Sequence, residues 1–269
     1  MHSIPTLLLN GEPIGTVKGM LFDKDGTLSD SEDHLVNIAK LRVQEASRLL
    51  IKEGATDNTV RQLKRLLSRA YGLTSKGLSP NGTIAIASRN NNLISTATIF
   101  CLLGETWPNA YTLSSHIFQS VDILENGLKN NAEKRKTLPG VKTILRDLKN
   151  ADVVCALISN DSHQGIQTFL ARNNLKDLFA NVWSADNSPT KPDPAAVEGL
   201  CKKINIKPSE CALIGDADSD LLMARQSGIG ITLGYTGGWT QTPQLTQHNY
   251  LIKNWNELTI EQAKPYSKN

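Results

Sequence analysis

The chain has 269 residues, and Lys plus Arg exceed Asp plus Glu, 29 against 26, for a net charge of +3 with the histidines neutral. Hydrophobic residues at 39% and charged residues at 20% are enough for one large domain, or one domain with a sizeable insertion, and exclude a chain disordered throughout. No apolar run approaches the roughly 18–20 residues of a membrane span, the small charge excess does not mark a nucleic-acid binder, and the Leu7–Leu9 run lacks the basic flank and the length of a secretory leader.

In chain order, Leu7–Leu9 and Ile14–Val17 flank Asn10-Gly11 and predict a hairpin leading into a strand over Val17–Phe22. From Ser31 to about Thr137 the pattern is helical, with Leu35, Ile38, Ala39, Val43, Ala46, Leu49 and Leu50 at near 3.6-residue spacing. Further helices are predicted over Val60–Ala70, Asn91–Leu103 and Ala110–Asn130, with a connecting loop at Gly72–Gly82. After Pro139 the period changes. Helices over Val141–Leu148, His163–Asn173, Pro194–Lys203 and Asp218–Gln226 alternate with strands at Val153–Ile158, Asn181–Ser184, Cys211–Ile214 and Gly230–Leu233. Such alternation, with continuously apolar strands, predicts a parallel sheet covered on both faces. The expectation is an α/β core from residues 1–30 and 138–269, a Rossmann-like doubly wound parallel sheet, with an all-helical cap, residues 31–137, inserted after the first of its strands.

Ligands of open parallel sheets bind beyond the carboxyl ends of the strands. Four strings fall at or beside those ends: Asp23-Lys24-Asp25-Gly26-Thr27, Ser159-Asn160-Asp161, Thr190-Lys191-Pro192-Asp193-Pro194, and Gly215-Asp216 through Asp220. Each alone reads as an ordinary turn or helix cap. All four, in this order and at these places, leave that explanation little room. The cysteines, Cys101, Cys155, Cys201 and Cys211, form no C-x-x-C pair and are expected to be reduced thiols of a cytoplasmic protein, not a zinc site.

These motifs resemble those of the haloacid dehalogenase superfamily of phosphohydrolases, and within it the phosphoglycolate phosphatase and β-phosphoglucomutase group, where Asp-Ser follows the first motif as Asp30-Ser31 does here. The resemblance spans about residues 17–233. It implies a Mg²⁺-dependent enzyme acting on a small phosphorylated metabolite through an aspartyl-phosphate. Asp23 is then the nucleophile, and Asp25 the acid for the leaving group and the base for water. Ser159, with the Asn160 amide, holds a phosphoryl oxygen, and Lys191 supplies a fixed positive charge. The metal ligands implied are the Asp23 carboxylate, the Asp25 carbonyl and Asp216, with Asp220 behind them orienting waters or Lys191.

Lys24 departs from the apolar residue usual at its position and is expected to alter only the local surface. By its place after the nucleophile loop, the insertion is expected to act as a lid. Within it, Arg61, Lys64, Arg65 and Arg69 at helical spacing, and Arg89 after a polar loop, read first as a solvated basic face, the alternative being that one or two of them bind a second anionic group of the substrate. Gly237-Gly238-Trp239 is equally a border of the pocket or a surface turn with a packed Trp. His34 and His163 are given no role. Phosphoglycolate is the substrate suggested by the resemblance. A phosphosugar mutase sharing every core residue, and a non-catalytic phosphate sensor on the same fold, stand as alternatives.

Overall fold

A computed structural model describes residues 4–128 and 136–262. The chain divides into two compact units, one formed by residues 1–31 and 135–269, the other by residues 32–134.

In the first unit, β1 (Thr6–Leu9) and β2 (Glu12–Thr16) form the predicted hairpin, with Asn10 and Gly11 both at positive φ in its turn. The core strand β3 (Gly19–Phe22) follows and is buried along its whole length. In the second unit, α1 (Glu32–Lys52) and α2 (Asp57–Tyr71) precede a two-residue hairpin, β4 (Leu73–Thr74) and β5 (Gly77–Leu78). This hairpin occupies the segment read from the sequence as a loop. A short α3 (Thr83–Ile86), then α4 (Arg89–Leu102) and α5 (Trp107–Leu128), complete the unit. The predicted end of α5 at Asn130 lies outside the described residues.

The chain returns to the first unit beside the point where it left, because Asp30 N–H donates to Lys136 O and Leu138 N–H to Leu28 O, each at 2.9 Å. Then come α6 (Val141–Asn150), β6 (Val154–Ile158), α7 (His163–Arg172), β7 (Asn181–Trp183), α8 (Pro194–Lys203), β8 (Cys211–Gly215), α9 (Asp218–Gln226) and β9 (Ile231–Tyr235). Two further strands, β10 (Tyr250–Ile252) and β11 (Leu258–Glu261), have no counterpart in the sequence reading.

The main sheet has the order β10-β9-β8-β3-β6-β7, and every neighbouring pair is parallel. Alternation along each strand sends side chains to two cores. Met20 and Phe22 of β3, Cys155 and Leu157 of β6, and Ala212 and Ile214 of β8 meet α6 and α7 on one face. Leu21, Ala156, Ile158, Cys211 and Leu213 meet α8 and α9 on the other. A second sheet, β11-β1-β2, packs into the first of these cores through Leu7 and Leu258.

The second unit closes on its own core, with Leu50, Leu63, Leu67, Phe100, Ile117 and Phe118 buried. Arg42 is buried with them, its guanidinium 3.8 Å from the centroid of the Phe118 ring. Arg61, Lys64, Arg65 and Arg69 are exposed along α2, and Arg89 is ion-paired with Asp122 at 2.5 Å. No described helix is long and apolar enough to cross a membrane. The four cysteines are free.

Candidate active site

The registers align the carboxyl ends of the three central strands, since Phe22 lies beside both Leu157 and Ile214. The residues that follow therefore emerge together at one edge of the sheet. Asp23 N–H extends the ladder to Ile214 O at 2.9 Å, and Ser159 N–H does the same to Trp183 O at 2.9 Å.

After Asp23 the chain makes a tight turn in which the Lys24 carbonyl accepts from Leu28 and Ser29 N–H, at 2.9 and 2.8 Å. Gly26 has φ +77°, and any Cβ there would collide with the Trp239 indole, so both conformation and space demand glycine. Lys191 comes from the loop before α8. That helix is started by Pro194 in its first turn and by Asp193, whose carboxylate accepts Ala195 N–H at 2.9 Å. Asp216 and Asp220 flank the start of α9.

Lys191 Nζ lies 2.6 Å from Asp23 Oδ1 and 2.9 Å from Asp220 Oδ1, and all three side chains are buried. Asp216 Oδ1 accepts from Thr27 Oγ1 at 2.9 Å, and its Oδ2 accepts from Trp239 Nε1 at 2.6 Å. Oxygens of Asp23, Asp216 and Asp220 lie within 4.8 Å of one another. Burial, with Asp23 and Asp220 adding to it, pushes the Asp216 carboxyl well above the usual carboxylate range. Burial likewise raises Asp220, to about 6, against the lowering effect of Lys191. Burial alone would lower the Lys191 ammonium, but Asp220 and Asp23 outweigh it and hold the group above the ordinary lysine range. Three buried carboxylates with one buried ammonium form an anionic, all-oxygen donor set, of the kind that suits a hard divalent cation.

Of the residues picked from the sequence, Asp23, Lys191, Asp216 and Asp220 are in mutual reach. Asp25 stands next to them in the chain, and its carboxylate has partners of its own. Its Oδ1 accepts from Ser31 Oγ at 2.5 Å, and its Oδ2 lies 2.6 Å from Lys24 Nζ. Ser159 is buried, and its Oγ accepts Asp161 N–H at 3.1 Å, which leaves its own proton to donate. Asn160 is half-buried.

Contrary to the expectation of a surface effect, Lys24 is fully buried, and its ammonium lies against the carboxylates of Asp25 and Asp161. Trp239 proves to be part of the site, and Ser31 reaches Asp25. The only sequence signals for these were the Gly237-Gly238 doublet before Trp239 and the Asp30-Ser31 pair. His163 gives its main-chain N–H to Asp186 Oδ2 at 2.7 Å.

The haloacid dehalogenase-like hydrolase family matches residues 17–228 of the chain. The phosphoglycolate phosphatase of Vibrio vulnificus strain CMCP6 is 27% identical over 227 residues, covering 82% of this chain and 86% of its own. Among solved structures, that of a predicted phosphoglycolate phosphatase from Haemophilus somnus superposes with a TM-score of 0.62 at 18% identity, covering 90% of this chain and 96% of that one. A subfamily IA haloacid dehalogenase hydrolase from Geobacter sulfurreducens gives 0.52 at 18% identity, covering 90% and 94%. With the match spanning most of the chain and the sheet edge assembled as described, the chain belongs to the haloacid dehalogenase-like hydrolases and is an enzyme similar to their phosphoglycolate phosphatase group.

Proposed function

We propose that this phosphatase hydrolyses a small phosphate monoester in two steps through a phosphoryl group carried on Asp23, with Mg²⁺ held by Asp23, Asp216, Asp220 and the Asp25 main-chain carbonyl. The observation that carries the reading is the buried Lys191 bridging Asp23 and Asp220 at 2.6 and 2.9 Å, with the Asp25 carboxylate two residues from Asp23. A phosphate monoester is an anion, and an attacking carboxylate meets it only where positive charge is fixed in place. The metal supplies further positive charge against that repulsion.

In the first step an Asp23 carboxylate oxygen forms a bond to phosphorus and the ester P–O bond breaks. The leaving alkoxide takes a proton from Asp25. In the second, the Asp25 carboxylate takes a proton from water, whose oxygen attacks phosphorus and displaces Asp23. Ser159 donates its hydroxyl proton to a phosphoryl oxygen, with the Asn160 main-chain N–H beside it. Lys191 stays charged throughout and holds Asp23 in one orientation.

Phosphoglycolate is the first substrate to try, because relatives of that name align along most of the chain. The test is phosphate release from a panel of monoesters, phosphoglycolate and hexose phosphates included, with Mg²⁺ or with chelator, for wild type and Asp23→Asn. Metal-dependent release by wild type alone is expected. Release by Asp23→Asn at the wild-type rate overturns the reading, and transfer of the phosphoryl group to a sugar hydroxyl in place of water would identify a mutase.

A further inference from the structure

Lys24 sits between the two motif aspartates and has no part in the mechanism above, yet it is 0% exposed. An ammonium is that deeply buried only where it is paired. Its Nζ lies 2.6 Å from Asp25 Oδ2 and 3.0 Å from Asp161 Oδ2, and 5.8 Å from the centroid of the Phe169 ring. The lysine thus spans from the loop after β3 to the loop after β6.

The far end of this bridge is firmly built. Asp161 Oδ1 accepts Ser162 N–H at 2.7 Å, Asp161 O accepts Ala185 N–H at 2.9 Å, and Asp161 N–H is given to Ser159 Oγ. A Cβ on Gly165 would collide with both Asp161 carboxylate oxygens, so the glycine in the first turn of α7 leaves the space they fill. At the near end, Ser31 Oγ contacts both Asp25 Oδ1, at 2.5 Å, and Ser29 Oγ, at 2.8 Å. Each oxygen of Asp25 therefore lies against its own partner, Ser31 Oγ on one side and the Lys24 ammonium on the other. An apolar side chain at position 24 could fill the volume, but it would release one of those oxygens and leave Asp161 without its cation.

We propose that Lys24 is a positioning residue, which through Asp161 locks the Asp25 carboxylate in its proton-transfer orientation and couples it to the loop carrying Ser159. The proposal rests on the reading of Asp25 as acid and base. It accounts for a buried charge at a position where filling the space would not need one.

The test measures kcat and KM for wild type, Lys24→Met, Lys24→Arg, Asp25→Asn and the double variant Lys24→Met/Asp25→Asn, with melting temperatures alongside. For an alkyl phosphate, Lys24→Met is expected to lower kcat by about ten- to a hundredfold, the range for a misplaced catalytic group, with KM little changed. Lys24→Arg is expected to recover part of the loss. Adding Lys24→Met to Asp25→Asn is expected to cost nothing more, because the lysine acts through that carboxylate. Single-turnover phosphorylation by p-nitrophenyl phosphate, whose phenolate leaves with little help from an acid, is expected to be nearly unaffected by Lys24→Met. A merely structural loss would slow both substrates alike.

A wild-type kcat for Lys24→Met, or full additivity with Asp25→Asn, overturns the inference while leaving the acid–base reading intact. Full activity in Asp25→Asn overturns that reading instead. If Lys24→Met does not fold, Asp161→Asn, which removes only the far charge, decides: the same loss in kcat with KM held supports the proposal, and wild-type behaviour refutes it.

Discussion

Both oxygens of Asp216 are occupied by donors from different parts of the chain, the Thr27 hydroxyl and the Trp239 indole. Partners of this kind orient a ligating carboxylate, and removing one typically weakens metal binding about 10- to 100-fold. Trp239→Phe removes the indole N–H together with part of the ring system that packs on Gly26 but leaves an aromatic ring at the position, so it is expected to weaken Mg²⁺ about tenfold, at the low end of that range. Trp239 is also a reporter, and Mg²⁺ titration followed by its fluorescence in the wild type, and by calorimetry in both proteins, checks this. Equal affinities would remove Trp239 from the metal's surroundings. For Asp25→Ala and Lys191→Ala, the expectation is a fall in turnover of about a hundredfold or more, as for loss of one acid or one fixed charge. Near wild-type phosphate release in either variant would contradict the role given to that residue.

At the scale of elements, the site depends on where each helix begins. Asp193 ends the loop carrying Lys191 and caps α8, so Asp193→Ala is expected to destabilise the fold by about 1 kcal/mol, measurable by urea unfolding. These starts were legible in the sequence. Pro194 and Asp218 open α8 and α9 where predicted, because a proline in a first turn and acidic residues before an apolar run are local signals. The strand ends were legible for the same reason, and with them the placing of Asp23, Ser159 and Asp216. Contacts made across the chain were not. Gly237-Gly238-Trp239 read equally as a pocket border or a surface turn, and nothing local named the carboxylate 23 positions earlier that Trp239 reaches, or Asp161 on another loop as the partner of Lys24. Strands β10 and β11 were not read because each is defined by a partner elsewhere in the chain, β10 by β9 and β11 by β1 at the opposite end of the first unit's sequence.

For the molecule as a whole, the crowded carboxylates link folding to pH and to metal. Asp220, raised to about 6, and Asp216, raised well above its ordinary range, bind protons more tightly folded than unfolded. An acid shifted in that direction adds stability at low pH that is lost as pH rises through the folded-state value. A divalent cation needs those groups ionised, so it competes with protons less as pH rises. The gain in melting temperature on adding Mg²⁺ is therefore expected to grow between about pH 5 and about pH 7.5. A gain independent of pH over that interval would show that these carboxylates do not hold the ion.

The turn behind Asp23 is braced from far along the chain: Trp255 Nε1 donates to Thr27 O at 3.1 Å across 228 positions, and β11 completes the sheet that β1 begins. During translation every motif residue, from Asp23 to Asp220, leaves the ribosome before that brace exists. A nascent chain stopped between Asp220 and Trp255 would carry all four motifs and lack the support behind the Asp23 turn, while β1 would still show an unpaired edge to its neighbours. The turn behind Asp23 therefore gains the support of Trp255 and β11 only after all four motifs have been made.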